Sequence, residues 1–178
     1  DLATQGLDAV VVNPAYMLGP WDWRPSSGRM LLAVARGYLH WAPAGGNDFC
    51  DARDVAAGVL AAAERGKTGR RYILGGEAMT YLEAWRLFAQ VAGVAPPTCS
   101  IGRCALSRGV VHAMGLAGNL WGWMTGREPD VNSAATSLSL VEHHFSTERA
   151  RSELGYAPRP VRQTVEAAWL WFQEHSYH

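Results

Sequence analysis

Leu7-Asp8-Ala9-Val10-Val11-Val12-Asn13-Pro14-Ala15-Tyr16-Met17-Leu18-Gly19-Pro20 is the stretch on which the reading of the fold turns. Leu7 to Val12 is an apolar run of strand length and composition. The residue before a proline is pushed away from helical backbone, so Asn13-Pro14 ends regular structure and Gly19-Pro20 turns the chain. A buried strand that opens into irregular backbone at its carboxyl end is where open α/β sheets bind ligands. Because the run is apolar on both faces, it suits a central parallel strand.

Working outward, Arg29 to Arg36 has the spacing of a helix closed by Gly37, with serine at its start available as a cap. Tyr38 to Pro43 reads as a short strand, and Ala44-Gly45-Gly46-Asn47 as a turn. Asp51 to Gly66 predicts a helix, since an acidic cap is followed three residues later by Asp54 and then by an alanine-rich run ending at glycine. Arg70 to Leu74 predicts a strand, and Thr80-Tyr81-Leu82-Glu83 is a capping box that opens a helix reaching Ala92 and stopping at Gly93. Pro96 to Ile101 reads as extended, and the apolar stretch Cys104 to Met124 as a packed or interface helix. Further helices are expected over Asp130 to Glu142, Thr147 to Leu154 and Val161 to His175. No repeat and no long linker divides the chain.

With 178 residues and 48% hydrophobic content, the chain can bury a real core. Sixteen basic and sixteen acidic residues cancel and are scattered, so neither nucleic acid nor an anionic membrane is an expected partner. The expected partner is a small molecule or another protein. Three cysteines, Cys50, Cys99 and Cys104, form no Cys-x-x-Cys pair and no even framework, which fits a cytoplasmic protein. The start has no signal-peptide character and no initiator methionine, so the chain is expected to begin inside a longer protein.

Taken in order, Asn13-Pro14 with Gly19-Pro20, Phe49-Cys50-Asp51-Ala52-Arg53-Asp54-Val55-Ala56, Tyr72-Ile73-Leu74-Gly75-Gly76, and Phe145-Ser146 leading to Leu154-Gly155-Tyr156-x-Pro158 form a recognisable series. The series resembles the carboxyl-terminal half of an extended short-chain dehydrogenase/reductase, in the NAD-dependent epimerase/dehydratase group and near its hopanoid-associated epimerase and dihydroflavonol-reductase-like members. The resemblance covers nearly all of residues 1–178 and implies an α/β fold: the last part of a Rossmann-type parallel sheet plus a small, mostly helical substrate-binding lobe. It implies NAD or NADP as cofactor, hydride transfer at a carbonyl or hydroxyl carbon, and a possible homodimer of the full-length protein. It places Pro14, Ala15, Tyr16 and Met17 beside the nicotinamide and ribose, and makes Tyr16, Trp21, Met30, Asn47 and Phe49 the candidate substrate-binding residues.

Two family motifs are absent from the chain. The Gly-x-x-Gly-x-x-Gly turn that lets backbone approach a pyrophosphate has only a decoy, Gly115, Gly118 and Gly122, whose last interval is wrong and which lies in an apolar helical stretch; close helix packing is the favoured reading. The catalytic Tyr-x-x-x-Lys pair cannot be present, because Lys67 is the only lysine and Ala63 stands four residues before it. No catalytic residue is therefore assigned, and the chain by itself is expected to be inactive. Asp51 and Asp54 offer a metal or acid/base pair, with helix capping the favoured reading. His143-His144 lacks partners at zinc-ligand spacing, so no metal is expected; Arg70-Arg71 could grip a phosphate, with a solvent-facing strand end the favoured reading. The eight tryptophans are read as core or cleft wall, with Trp21 and Trp23 near the site loop. Sugar-nucleotide members usually carry arginine where Asn47 precedes Asp48-Phe49, which shifts the expectation toward a reductase. An epimerase or dehydratase, and a non-catalytic binding relative, remain alternatives.

Overall fold

The computed structural model describes residues 6–37, 39–127, 129 and 131–177. The first five residues, Tyr38 at the head of the expected Tyr38 to Pro43 strand, and Asp130 at the head of the expected Asp130 to Glu142 helix lie outside them. The elements run β1 (Val11–Pro14), β2 (Tyr16–Leu18), α1 (Gly28–Ala35), β3 (Trp41–Pro43), β4 (Gly46–Asp51), α2 (Ala52–Arg65), β5 (Arg71–Leu74), β6 (Glu77–Thr80), α3 (Tyr81–Ala92), β7 (Cys99–Ile101), α4 (Ala105–Thr125), α5 (Ser133–Ser139), α6 (Glu148–Leu154) and α7 (Val161–Glu174).

The opening stretch behaves differently from its sequence reading. The strand occupies Val11–Pro14, later than Leu7 to Val12, and pairs in parallel with β5 from Val11 opposite Arg71 to Pro14 opposite Leu74. At Ala15, whose N–H donates to the Leu74 carbonyl at 3.1 Å, the chain leaves that ladder. Tyr16–Leu18 then pairs in parallel with β4 instead. One continuous extended segment thus serves two ladders, and the change of partner falls at the Asn-Pro-Ala step, where Pro14 has no N–H to offer a sheet.

Two buried clusters meet along this segment. On one side Leu18, Leu31, Phe49, Phe88, Val165 and Phe172 join α1, α3 and α7. On the other Val55, Tyr72, Leu74, Leu154 and Tyr156 join α2, β5 and α6, with Val12 and Ala15 packed against them. The Leu154-Gly155-Tyr156 motif closes this second cluster: Gly155 takes a left-handed turn at the end of α6, and the Tyr156 hydroxyl donates to the Gly75 carbonyl at 2.8 Å.

Local signals hold where they are strong. Asp51 caps α2 by accepting from the Arg53 N–H, Thr80 and Glu83 form the complete capping box of α3, and Gly93 ends that helix in the left-handed region. Serine does not cap α1, however. The Ser27 side chain makes no cap bond, and the Gly28 N–H donates to the Asp22 carboxylate at 3.1 Å. Of the turn expected at residues 44–47, only 44–45 stay outside regular structure: β4 already begins at Gly46, because Gly46 to Phe49 pair antiparallel with β6, a strand of polar character that no periodicity announces. The small lobe therefore carries more sheet than expected, with β3 and β7 also paired in parallel. Helix α5 starts at its Asn132 cap and stops at Ser139, shorter than expected, since Val141 and His143 exchange backbone bonds with Gly46.

The glycines of α4 do pack a helix. A side chain on Gly115 would strike the Thr136 hydroxyl, one on Gly118 the Val131 carbonyl, and one on Gly122 the Pro129 ring at 2.8 Å. Gly118→Ala, meeting backbone that cannot swing aside, is expected to lower unfolding free energy by about 1–3 kcal/mol. Gly109→Ala, on the same helix but in open space, should stabilise it slightly through helix propensity. Equal urea midpoints for the two variants would contradict this packing. No helix among the described residues is long and apolar enough to cross a membrane.

Candidate functional site

The change of partner at Ala15 puts the ends of β1 and β2 where two ladders diverge, the position at which open α/β sheets present a ligand crevice. Of the four residues expected to face a dinucleotide, Pro14 and Met17 are exposed, Ala15 is half-buried and spends its N–H on Leu74, and Tyr16 turns inward.

Tyr16 is more deeply engaged than the sequence suggests. Its ring lies 5.0 Å from that of Phe49, and its hydroxyl donates to the Ser27 carbonyl at 2.9 Å. Burial, reinforced by the neighbouring Tyr81 and Asp22, pushes the phenol well above its ordinary range, so it stays a donor. Beside it opens a cleft of about 620 Å³ whose walls include Tyr16, Arg29, Met30, Arg36, Val131 and Tyr177. That volume and its mixed apolar and cationic lining suit a small molecule.

The five expected substrate residues are not brought together. Tyr16 and Met30 share the cleft. Phe49 is 1% exposed and packs beneath Tyr16 against Tyr81 and Phe88, so it is a core residue that supports the wall. Asn47 sits on β4, donating to the Tyr81 hydroxyl at 3.5 Å and accepting from the Asp48 N–H. Trp21, at φ 68° and 62% exposed, stands outside the cleft lining. Trp23 lies edge-on to Trp171 and His175, and its carbonyl accepts from the Tyr177 hydroxyl at 2.8 Å, so the segment after α7 clasps the site loop. Tyr177 and Val131 have no local signal in the sequence. They reach the cleft from segments more than 100 residues away in the chain. Most tryptophans are neither core nor cleft wall: only Trp85 and Trp171 are buried, while Trp21, Trp23, Trp41, Trp121 and Trp123 are exposed.

Three buried groups of β4, Asp48, Cys50 and Asp51, have shifted protonation. Cys50, which donates to the Tyr16 carbonyl at 3.7 Å, is pushed up to about 12 by burial and by Asp48, so it is an inert thiol. Burial also raises Asp48, opposed by its short bond from the Gly76 N–H at 2.6 Å. Asp51 and Asp54 are tied to Arg53 and Arg159 in one cluster, at 2.7 Å and 2.6 Å respectively, which makes their role structural. His144 pairs with Glu142 at the surface, and Arg70 and Arg71 are exposed.

No protein-family model matches the sequence. Among curated proteins, the chain is 33% identical, over 98% of its length, to a Synechocystis protein provisionally named dihydroflavonol 4-reductase, of which it covers 51%. It is 32% identical, over 97% of its length, to sterol demethylase protein B of Methylococcus capsulatus, of which it covers 52%. The chain spans about half the length of these relatives. Among solved structures, it is similar to a nucleoside-diphosphate-sugar epimerase from Pseudomonas aeruginosa, with a TM-score of 0.75, 26% identity, and coverage of 98% of this chain and 51% of that one.

Proposed function

Because this chain belongs to the extended short-chain dehydrogenase/reductase family, we propose that the protein carrying it is an NAD(P)-dependent oxidoreductase of a small carbonyl or hydroxyl substrate. The observation that carries this reading is the cleft beside the Ala15 change of partner, with Met30 and Tyr16 on its wall. Pro14 and Met17, exposed where the ladders diverge, would flank a nicotinamide, and the cofactor when bound supplies the hydride. Tyr16 orients the wall through Ser27, and Met30 offers an adaptable apolar contact. Lys67 is 3.5 Å from Glu153 and has no tyrosine four residues before it. Proton transfer at the substrate is thus assigned to groups outside these residues, and the chain by itself is inactive. One relative named for a dihydroflavonol and another for a sterol support an apolar, ring-bearing substrate.

A second reading, a nucleotide-sugar epimerase or dehydratase, is favoured by Arg29 and Arg36 on the same cleft. Asn47 speaks against it, since no cation stands at that position. In calorimetric titration, the full-length protein is expected to bind NADH or NADPH and to bind UDP weakly. Asn47→Arg should tighten UDP by about tenfold through a charge-assisted hydrogen bond. Tight UDP binding by the unmodified protein, lost in Arg29→Met or Arg36→Met, would establish the second reading instead.

A further inference from the structure

Helix α4 is held from one side. Gly115, Gly118 and Gly122 lie against α5 and the segment before it, and Val111 is buried with them. At 100° per residue, the opposite half of the helix carries Leu106, Leu116, Leu120, Trp121, Trp123 and Met124, which are 57–83% exposed. Twenty-one residues run ~30 Å, so the exposed face far exceeds the scattered single side chains of an ordinary surface.

The charge around this face is one-sided. From Ala84 to Arg127 the sequence has no aspartate or glutamate, while Arg86, Arg103, Arg108 and Arg127 fall within it; acids resume at Glu128. Arg103 and Arg108 stand at one end of α4 and Arg127 just beyond the other, all exposed. Two copies of α4 laid antiparallel would bring the Arg103 and Arg108 end of each toward Arg127 of the other, with no acid within either helix to neutralise them. Lipid phosphates supply that missing charge. Tryptophans at the same face are the side chains that settle at headgroup level, and a helix with an apolar half and flanking arginines lies in the plane of the interface.

We propose that α4 is a peripheral membrane-docking helix, its Leu106 to Met124 face resting in an anionic phospholipid surface with Arg103, Arg108 and Arg127 on the phosphates. Such docking needs no membrane-spanning helix, and among the described residues no helix is both long and apolar enough to cross a membrane. It reverses the expectation drawn from bulk charge. Bulk charge does not register that the glycine stripe turns inward and the leucine and tryptophan face outward.

The test is co-sedimentation of the full-length protein with vesicles of phosphatidylglycerol and phosphatidylcholine in equal parts, against vesicles of phosphatidylcholine alone. Binding to the anionic vesicles is expected, with a blue shift of tryptophan emission, and it should weaken as salt is raised. Trp121→Ser with Trp123→Ser changes only exposed side chains, so its circular-dichroism melting midpoint should match the parent while vesicle binding falls about tenfold or more. Arg103→Gln with Arg127→Gln should reduce the preference for anionic vesicles. The proposal is overturned by failure to bind anionic vesicles, or by equal binding of the tryptophan variant. It is equally overturned if sedimentation velocity shows a dimer that the tryptophan variant dissociates and that ignores vesicles. Shielding of these tryptophans from acrylamide in the vesicle-free full-length protein would mean that other chain already covers them, with the same consequence.

Discussion

Asp51→Ala is expected to lower the free energy of unfolding by about 3 kcal/mol, the lower part of the range for stripping one partner from a buried ion pair. The lower part applies because Arg53 and Arg159 keep 30% and 32% of their side-chain surface exposed, whereas the Asp51 side chain keeps none. Its carboxylate accepts from the Arg53 N–H at 2.8 Å and from that guanidinium at 2.9 Å and 2.7 Å. Arg159 approaches it at 3.6 Å while forking onto Asp54, so the group joins the start of α2 to the segment entering α7. Alanine would remove the cap and strip Arg53 of its carboxylate, while Arg159 keeps its fork onto Asp54.

The same group predicts a pH dependence. Burial works against ionisation of Asp51, but the side-chain and backbone bonds from Arg53 outweigh it and hold the carboxyl below its ordinary 3.8. A carboxyl with a lowered folded-state pKa stabilises the fold above its unfolded value, and that contribution is lost as pH falls through the folded value. Asp51→Asn keeps a capping acceptor without the charge. Its deficit against the parent should be full at neutral pH and should shrink on acidification below 3.8. Urea unfolding of both proteins at neutral pH and at about pH 3 measures this window. A neutral-pH deficit of the alanine variant under ~1 kcal/mol, no more than a lost cap, would mean that the ion-pair cluster adds nothing.

Tyr16→Ala is expected to cost about 3–5 kcal/mol, the loss on truncating a large packed aromatic ring. The ring is packed on Phe49 at 5.0 Å, and the hydroxyl ties the strand to the loop before α1. Tyr16→Phe keeps the packing and should cost only about 1 kcal/mol, leaving the Ser27 carbonyl without its donor. Unfolding midpoints with an NAD(P)H titration on both variants separate the two roles. If Tyr16→Ala melted within a degree or so of the parent while losing cofactor affinity, Tyr16 would be a contact residue and not a wall support. That outcome is the one a site-facing reading of the Asn-Pro-Ala-Tyr stretch anticipates, and the packing of the half-buried ring on Phe49 argues against it.

Elements whose cause is local are legible in the amino-acid order alone. The Asp51 cap, the Thr80 and Glu83 box, the Gly93 stop and the apolar face of α7 each rest on groups within one or two turns, and the fold keeps all of them. The glycines of α4 are legible as packing residues too, because a fingerprint glycine turn needs a strand leading directly into it and these lie inside a helical stretch. The features that escape the sequence depend on residues distant in the chain. Strand β6 exists because β4 lies beside it, and the Tyr16 segment changes ladders because β4 and β5 both compete for one extended stretch. The same limit governs the site. Met30, Val131 and Tyr177 line one cleft only after three separate segments converge on Tyr16, while Phe49, expected beside Tyr16 in the cleft, is turned into the core by the pleat of β4. Periodicity tells that a helix such as α4 has apolar residues on every side; which side finds a neighbour is settled by where α5 can approach, and only the glycine stripe is narrow enough to admit it.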